Sequence, residues 1–409
     1  MKPRVAVIGG GPAGAAAALT LARAGVSVTV FEKETSSNWK IGEGLPPAAR
    51  PILQQLGVWE RFVTDGHLAS YGNCSAWGSS ELVDQSFVFN PHGNGWHLDR
   101  SRFDRMLLDA AVEAGAQVVS DVAITNCQRT DSGWRFELER KQFTAEAQRT
   151  QRSRRDSEES LCETSAALCA SAVKKDDSME PIQSQAEALN TDFVVDASGR
   201  SSWFARRQGA RRISFDNLVG AAALLKADGE IADRDSLTMV EAVADGWWYA
   251  TQINSEKPPG EKLVAVFLSD ADLDAARTAA TVEGWRSLLA ETEHLRKRVE
   301  RHGYRIEIAP RIVSANSSRL DVVAGDSWLA VGDAAAAFDP LSSQGIVTAL
   351  EFGILAAETI LAGEPEALKQ YSERLETMFA AYLANRNFYY SQERRWPDSK
   401  FWLRRHSVS

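Results

Sequence analysis

Six residues, Gly9-Gly10-Gly11-Pro12-Ala13-Gly14, stand between an apolar run at 5–8 and a stretch rich in alanine, and a second apolar run ends in Glu32-Lys33. This is G-x-G-x-x-G in a strand–turn–helix–strand setting, the arrangement that receives a dinucleotide pyrophosphate. Gly9 lets the chain turn off the strand. Gly11 removes the side chain that would block a phosphate. Gly14 lets the helix lie close on the sheet. The free N–H groups at the helix start, around Pro12 and Ala13, then face the anion. Glu32, eighteen residues after Gly14, is placed to accept from both ribose hydroxyls, with Lys33 beside it. An acid there disfavours a 2′-phosphate, so FAD or NAD is expected rather than NADP.

Two later segments fit the same cofactor. Asp196-Ala197-Ser198-Gly199-Arg200 follows an apolar run and can carry polar groups back towards a nucleotide. Gly332-Asp333 follows another, and Pro340-Leu341-Ser342-Ser343-Gln344-Gly345 leads into an apolar helix. A carboxylate at Asp333 can hydrogen-bond a ribityl or pyrophosphate group. The N–H groups of Gly345 and Ile346 can stabilise the flavin N1–C2=O locus, where negative charge builds on reduction. A nicotinamide cofactor has no use for this third segment. There is no second G-x-G-x-x-G for a separate NAD(P)H domain. FAD is the expected cofactor, and no metal-ligand spacing is present. His92 and His97 are the candidate general acid/base groups, each weighed against a satisfied structural histidine. Trp247, Trp248 and Tyr249 line a pocket or pack a core.

The elements that must position these residues alternate between helix-sized and strand-sized segments over 409 residues, which points to an α/β chain. The expected organisation is a discontinuous FAD domain (1–70, 97–205 and 318–362), an antiparallel-sheet substrate domain (71–96 and 206–317) and a C-terminal helical and aromatic arm (363–409). Gly42-Glu43-Gly44 is a polar turn near the flavin, and Pro46-Pro47 opens a helix. The net charge of −9 argues against a nucleic-acid partner. The four cysteines form no disulfide framework, as expected of a reducing cytoplasm. The glycines interrupt the apolar N-terminus, and no stable membrane insertion is expected. Residues 141–187 lack any sustained apolar period and are expected to be disordered, an insertion in a surface hairpin. Within it, 143–149 (FTAEAQR) and 168–174 (LCASAVK) are codable by complementary DNA strands, as in a translated inverted repeat.

The three segments together resemble the FAD-dependent monooxygenases of the para-hydroxybenzoate hydroxylase fold. Ile41-Gly42-Glu43-Gly44-Leu45-Pro46-Pro47 and Leu98-Asp99-Arg100-Ser101-Arg102-Phe103-Asp104 resemble the branch that holds flavin-dependent halogenases and geranylgeranyl reductases. The resemblance implies that Arg100 touches the FAD phosphates, that the backbone of Val122 meets the adenine, and that Pro340 belongs to the flavin loop. Halogenases carry G-W-x-W-x-I-P near the active site. Here the stretch is Gly246-Trp247-Trp248-Tyr249-Ala250-Thr251-Gln252, which keeps the Gly and the first Trp of that pattern but not the second Trp, the Ile or the Pro. Short motifs at 71–78, 90–97, 245–249 and 338–345 are similar to flavoprotein monooxygenases that mature peptidyl-tryptophylquinone cofactors. That similarity implies a flavin C4a-hydroperoxide, a peptidyl-tryptophan substrate in a quinoprotein precursor, and reduced flavin or NAD(P)H as electron source. The alternatives are a reductase of the geranylgeranyl reductase kind, a tryptophan halogenase-like enzyme, and a flavin-binding scaffold without activity.

Overall fold

Val5, Val7, Val28, Val30, Val194 and Val195 are all buried, because their strands lie inside a parallel sheet covered on both faces. The computed structural model of the chain describes residues 2–33, 39–120, 122–131, 133–140, 187–229, 231–253 and 262–406. Of the expected insertion, residues 141–186, with the inverted repeat and Cys162 and Cys169, lie outside the described residues, and Glu187 opens a strand. The first sheet runs Ala324–Gly325, Trp328–Ala330, Phe193–Asp196, Arg4–Ile8, Ser27–Glu32, Gln117–Ser120. All its pairings are parallel except the edge pair of Ala324–Gly325 with Trp328–Ala330. The mixed α/β architecture expected from the sequence is the one found.

One face of this sheet carries the helix Pro12–Arg23, whose small residues allow close packing. Strands Val122–Thr130, Gly133–Arg140 and Glu187–Thr191 form an antiparallel meander. Phe136 of this meander meets Phe31 of the sheet, with ring centroids 5.7 Å apart. Leu138 pairs with Glu187 at the open end of the meander.

The second large sheet has seven strands, in the order Tyr304–Ser314, Leu218–Ala227, Lys262–Asp270, Gly246–Ile253, Thr238–Val243, Gly72–Ala76, Val83–Ser86. Strand alternation divides its side chains between two cores. On Gly246–Ile253, Trp248 and Ala250 join the core that holds Trp285, whereas Trp247 packs with Tyr390, Phe401 and Trp402. The C-terminal segment closes that last core. Arg405 pairs with Asp270 at 2.8 Å and Arg404 with Asp272 at 2.7 Å.

Helix Gly345–Ala362 is long and apolar enough to cross a membrane, with a mean hydropathy of 1.7. Its composition has another cause: most of the helix is buried between Pro12–Arg23 and Pro365–Gln392, and a helix enclosed in protein is apolar all round.

Candidate functional site

The glycine turn contains two kinds of glycine. Gly9 has φ +108°, and a side chain there would overlap the Ala197 carbonyl. A side chain at Gly14 would overlap the Gly9 carbonyl. Both are required by the fold. Gly11 has ordinary backbone angles (φ −68°, ψ −178°), and among the described residues a Cβ there would meet nothing within 4 Å. Protein packing therefore does not explain it. It leaves open space before a helix that has Pro12 in its first turn, no side-chain cap and no acid. Such an end receives phosphate.

Gly332 brings the distant segment to the same place. A Cβ on it would lie 2.8 Å from the Ala13 Cβ and 3.7 Å from the Ala349 Cβ. Gly332-Asp333 thus sits between the start of the first helix and the second turn of Gly345–Ala362. Gly353 lies against the Ala13 backbone. Gly345, eight residues earlier, is about 12 Å further along that axis. Its helix start also lacks a side-chain cap and an acid, and among the described residues a Cβ on Gly345 would meet nothing within 4 Å, with Ile346 buried behind it. Two open helix starts with a carboxylate between them fit a flavin dinucleotide: pyrophosphate at Gly11, ribityl chain at Asp333, the flavin ring carbonyl at Gly345. Asp333 is partly exposed, 3.5 Å from Arg200, and Pro340 opens a short turn just before Gly345.

The other nucleotide-binding candidates fall as follows. Glu32 accepts from the Gly10 N–H, and burial raises its carboxyl. Lys33 is exposed at the strand end. Val122 opens the meander and packs partly buried against the first core. Asp196 departs from the expectation of a polar group turned towards a nucleotide. It is fully buried, and its oxygens accept from the N–H groups of Ser198 (3.0 Å), Phe204 (2.9 Å) and Ala205 (2.8 Å). The carboxylate shapes the chain that follows it. Arg200 is turned to Asn316, at 2.8 Å from its carbonyl.

Arg100 clamps the loop before Glu43. Its Nη1 donates to the carbonyls of Ile41 and Gly42, both at 3.1 Å, and Nε lies 3.3 Å from Asp104. Glu43 is 1% exposed. Its Oε2 accepts from the Gly42 N–H at 3.1 Å, and the Trp39 and Tyr249 side chains lie beside it. Burial pushes this carboxyl up to about 7, against the pull of Arg100. Burial and the neighbouring Glu43 together hold the Tyr249 hydroxyl well above its ordinary value. From sequence, Gly42-Glu43-Gly44 reads either as a plain loop or as a mobile polar turn near the flavin, with no role assigned to the Glu43 carboxyl. The signal for more is an acid between two glycines and flanked by apolar residues.

His92 and His97, the acid/base candidates, and Trp247, the pocket candidate, lie in different surroundings. His97 is buried, bonded through Nε2 to Thr238 Oγ1 at 3.1 Å, and burial pushes it down to about 3. It stays neutral at any working pH and holds strand Gly95–His97 to the larger sheet. His92 is exposed in the preceding loop. Trp247 is buried and donates its indole N–H to the Tyr390 hydroxyl at 2.9 Å.

Comparison with known proteins agrees with the cradle. The profile of the FAD binding domain family matches residues 2–154, and that of the tryptophan halogenase family matches residues 153–409. A protein named as a putative FAD-dependent oxidoreductase, LodB of Marinomonas mediterranea, is 28% identical over 98% of this chain and 96% of its own. The 1H-pyrrole-2-carbonyl-[peptidyl-carrier protein] chlorinase of Pseudomonas fluorescens is 25% identical over 94% of this chain and 81% of its own. Two solved structures share the fold. The flavin-dependent halogenase CmlS has a TM-score of 0.77 at 23% identity, covering 100% of this chain and 68% of its own. The peptidyl tryptophan dihydroxylase QhpG has a TM-score of 0.67 at 24% identity, covering 99% and 79%. With its halogenase profile spanning more than half its length behind an FAD-binding segment, the chain belongs to the tryptophan halogenase family and is an FAD-dependent oxidoreductase.

Proposed function

We propose that the chain is a monooxygenase that hydroxylates an electron-rich aromatic ring, a tryptophan presented by a partner polypeptide. The observation that carries the reading is the strand Gly246–Ile253. Tyr249 stands where the halogenase pattern has its second Trp, and Thr251-Gln252 where it has Ile-Pro. Here the strand continues unbroken, with Gln252 paired to Leu263 inside the sheet. A proline at 252 would break that ladder. The end-to-end similarity to LodB and the shared fold with QhpG support the same reading.

Bound FAD, once reduced, supplies activated oxygen. The chain's own residues hold and screen it. The helix start at Gly11 binds the pyrophosphate, Asp333 the ribityl chain, and the Gly345 and Ile346 N–H groups the charge that reduction places on the ring. Buried Glu43, with partly buried Tyr249 beside it, can hold a proton near neutral pH.

Halogenation is the second reading, favoured by the family profile and by CmlS. One assay separates them. The FAD-loaded protein is mixed with NAD(P)H or a separately reduced flavin, oxygen, chloride and bromide, and a tryptophan-bearing quinoprotein precursor. Gain of one or two oxygen atoms on a tryptophan supports the proposal. Replacement of a ring hydrogen by halogen supports the second reading and overturns the first.

A further inference from the structure

Asp339 immediately precedes Pro340 of the flavin loop, which leads into the open helix start at Gly345. It is fully buried and accepts from the Tyr390 hydroxyl at 2.8 Å. Tyr390 opens onto a cluster of rings. Its centroid is 5.7 Å from Trp77 and 6.0 Å from Trp402. Trp77 and Trp402 are 5.3 Å apart, and Trp402 is stacked on Trp396 at 6.0 Å. Tyr390 and Trp402 are buried, whereas Trp396 is partly exposed, followed by exposed Pro397 and Asp398. Phe401 fills the space beside Tyr390 and Trp402, at 6.3 and 5.0 Å, as packing alone would ask. Packing does not ask that a tyrosine and three tryptophans also follow one another, ring to ring, from the flavin loop to the surface.

We propose that Tyr390, Trp77, Trp402 and Trp396 form a one-electron relay that drains oxidising equivalents from the flavin side of the protein to its surface. The Arg386 and Arg405 guanidinium groups lie over the Tyr390 ring, 5.2 and 4.9 Å from its centroid. Two cations there disfavour a radical cation, so oxidation of Tyr390 must release its proton, and Asp339 is the acceptor in place. An oxidant of the superoxide class, formed when reduced flavin meets oxygen without substrate, takes one electron from Tyr390 and two protons from solvent to become hydrogen peroxide. The Tyr390 proton passes to Asp339. An electron from Trp402 or Trp77 refills Tyr390 as that proton returns. The hole moves on to Trp396, where a thiol or ascorbate-class reductant in solution fills it. The relay needs reduced flavin and oxygen but no substrate, so it stands or falls independently of tryptophan hydroxylation.

The test uses the FAD-loaded protein, photoreduced and returned to air without substrate, with catalase and superoxide dismutase in solution. Peptide mass spectrometry reads oxygen added at each tryptophan, and freeze-quench electron paramagnetic resonance reads radicals. The wild type accumulates oxidation chiefly at Trp396. W396F shifts it inwards to Trp402 and Trp77. Y390F lowers oxidation at Trp396 several-fold at equal flavin content and loses the neutral tyrosyl signal. Equal oxidation of Trp396 in wild type and Y390F overturns the relay. So does its suppression by the scavenging enzymes, which means attack from bulk solution.

Discussion

Gly11 and Gly14 are three residues apart, and substitution separates what each is for. Ala at 14 must overlap the Gly9 carbonyl, so G14A is expected to lose about 1–3 kcal/mol of stability. Ala at 11 finds open space and ordinary backbone angles. G11A should therefore melt at the wild-type temperature when flavin-free, yet bind FAD at least about tenfold more weakly. Flavin absorbance of the purified protein and thermal melts with and without FAD check both. A destabilised apoprotein in G11A would show that position 11 is structural. Glu43 makes a different prediction. Its folded carboxyl titrates at about 7 against an ordinary 4.5. Between those values the folded protein keeps a proton that the unfolded chain releases. Stability therefore falls as pH rises through that window, by at most about 1.4 kcal/mol per unit. E43Q removes the slope and gains on the wild type above pH 7. Urea unfolding of flavin-free protein at several pH values reads it, and parallel curves would sink the idea.

At the scale of elements, the strand–turn–helix at 4–23 is legible in the sequence because its rules are local: a positive φ at Gly9 and a close helix contact at Gly14 demand glycine wherever they occur. The third segment is legible as a motif, but its place is not. That Gly332 touches Ala13 depends on strand Trp328–Ala330 lying next but one to Arg4–Ile8, which is topology rather than spacing. His97 reads as an acid/base candidate because its type suits that chemistry, and burial, which makes it a neutral strut, leaves no mark in neighbouring residue types. Asp196 misleads for a related reason. An acid at a strand end reads as a ligand group, yet here the chain folds back so that the N–H groups of Phe204 and Ala205 reach it. Removing it strands three N–H donors, those of Ser198, Phe204 and Ala205. D196A is expected to cost at least about 3 kcal/mol in urea unfolding, and D196N, which keeps one acceptor oxygen, distinctly less. Unchanged stability with weakened FAD binding would return Asp196 to the nucleotide site.

Across the whole molecule, the flavin sheet and the seven-stranded sheet keep separate cores, and the C-terminal segment packs into the third core. Trp402 is its keystone. It is fully buried, donates to the Val243 carbonyl at 2.9 Å, and lies between Trp77, Tyr390 and Trp396. Leu341 of the flavin loop and Trp39 and Ile41 of the clamped loop pack against the same core. The last turn of the chain therefore supports both the substrate sheet and the loops that face the flavin. W402A should cost about 3–5 kcal/mol. Its effect should also be uneven, because the flavin sheet has its own core. Hydrogen exchange is expected to show lost protection in Gly246–Ile253, in Lys400–His406 and around 39–43, while Arg4–Ile8 and Phe193–Asp196 keep theirs. FAD should remain bound through the Gly11 turn but become more accessible to solvent, so that reduced flavin yields more peroxide per turnover. Uniform loss of protection over both sheets would mean that the three cores unfold as one unit and that the arm supports the whole molecule rather than the substrate side of it.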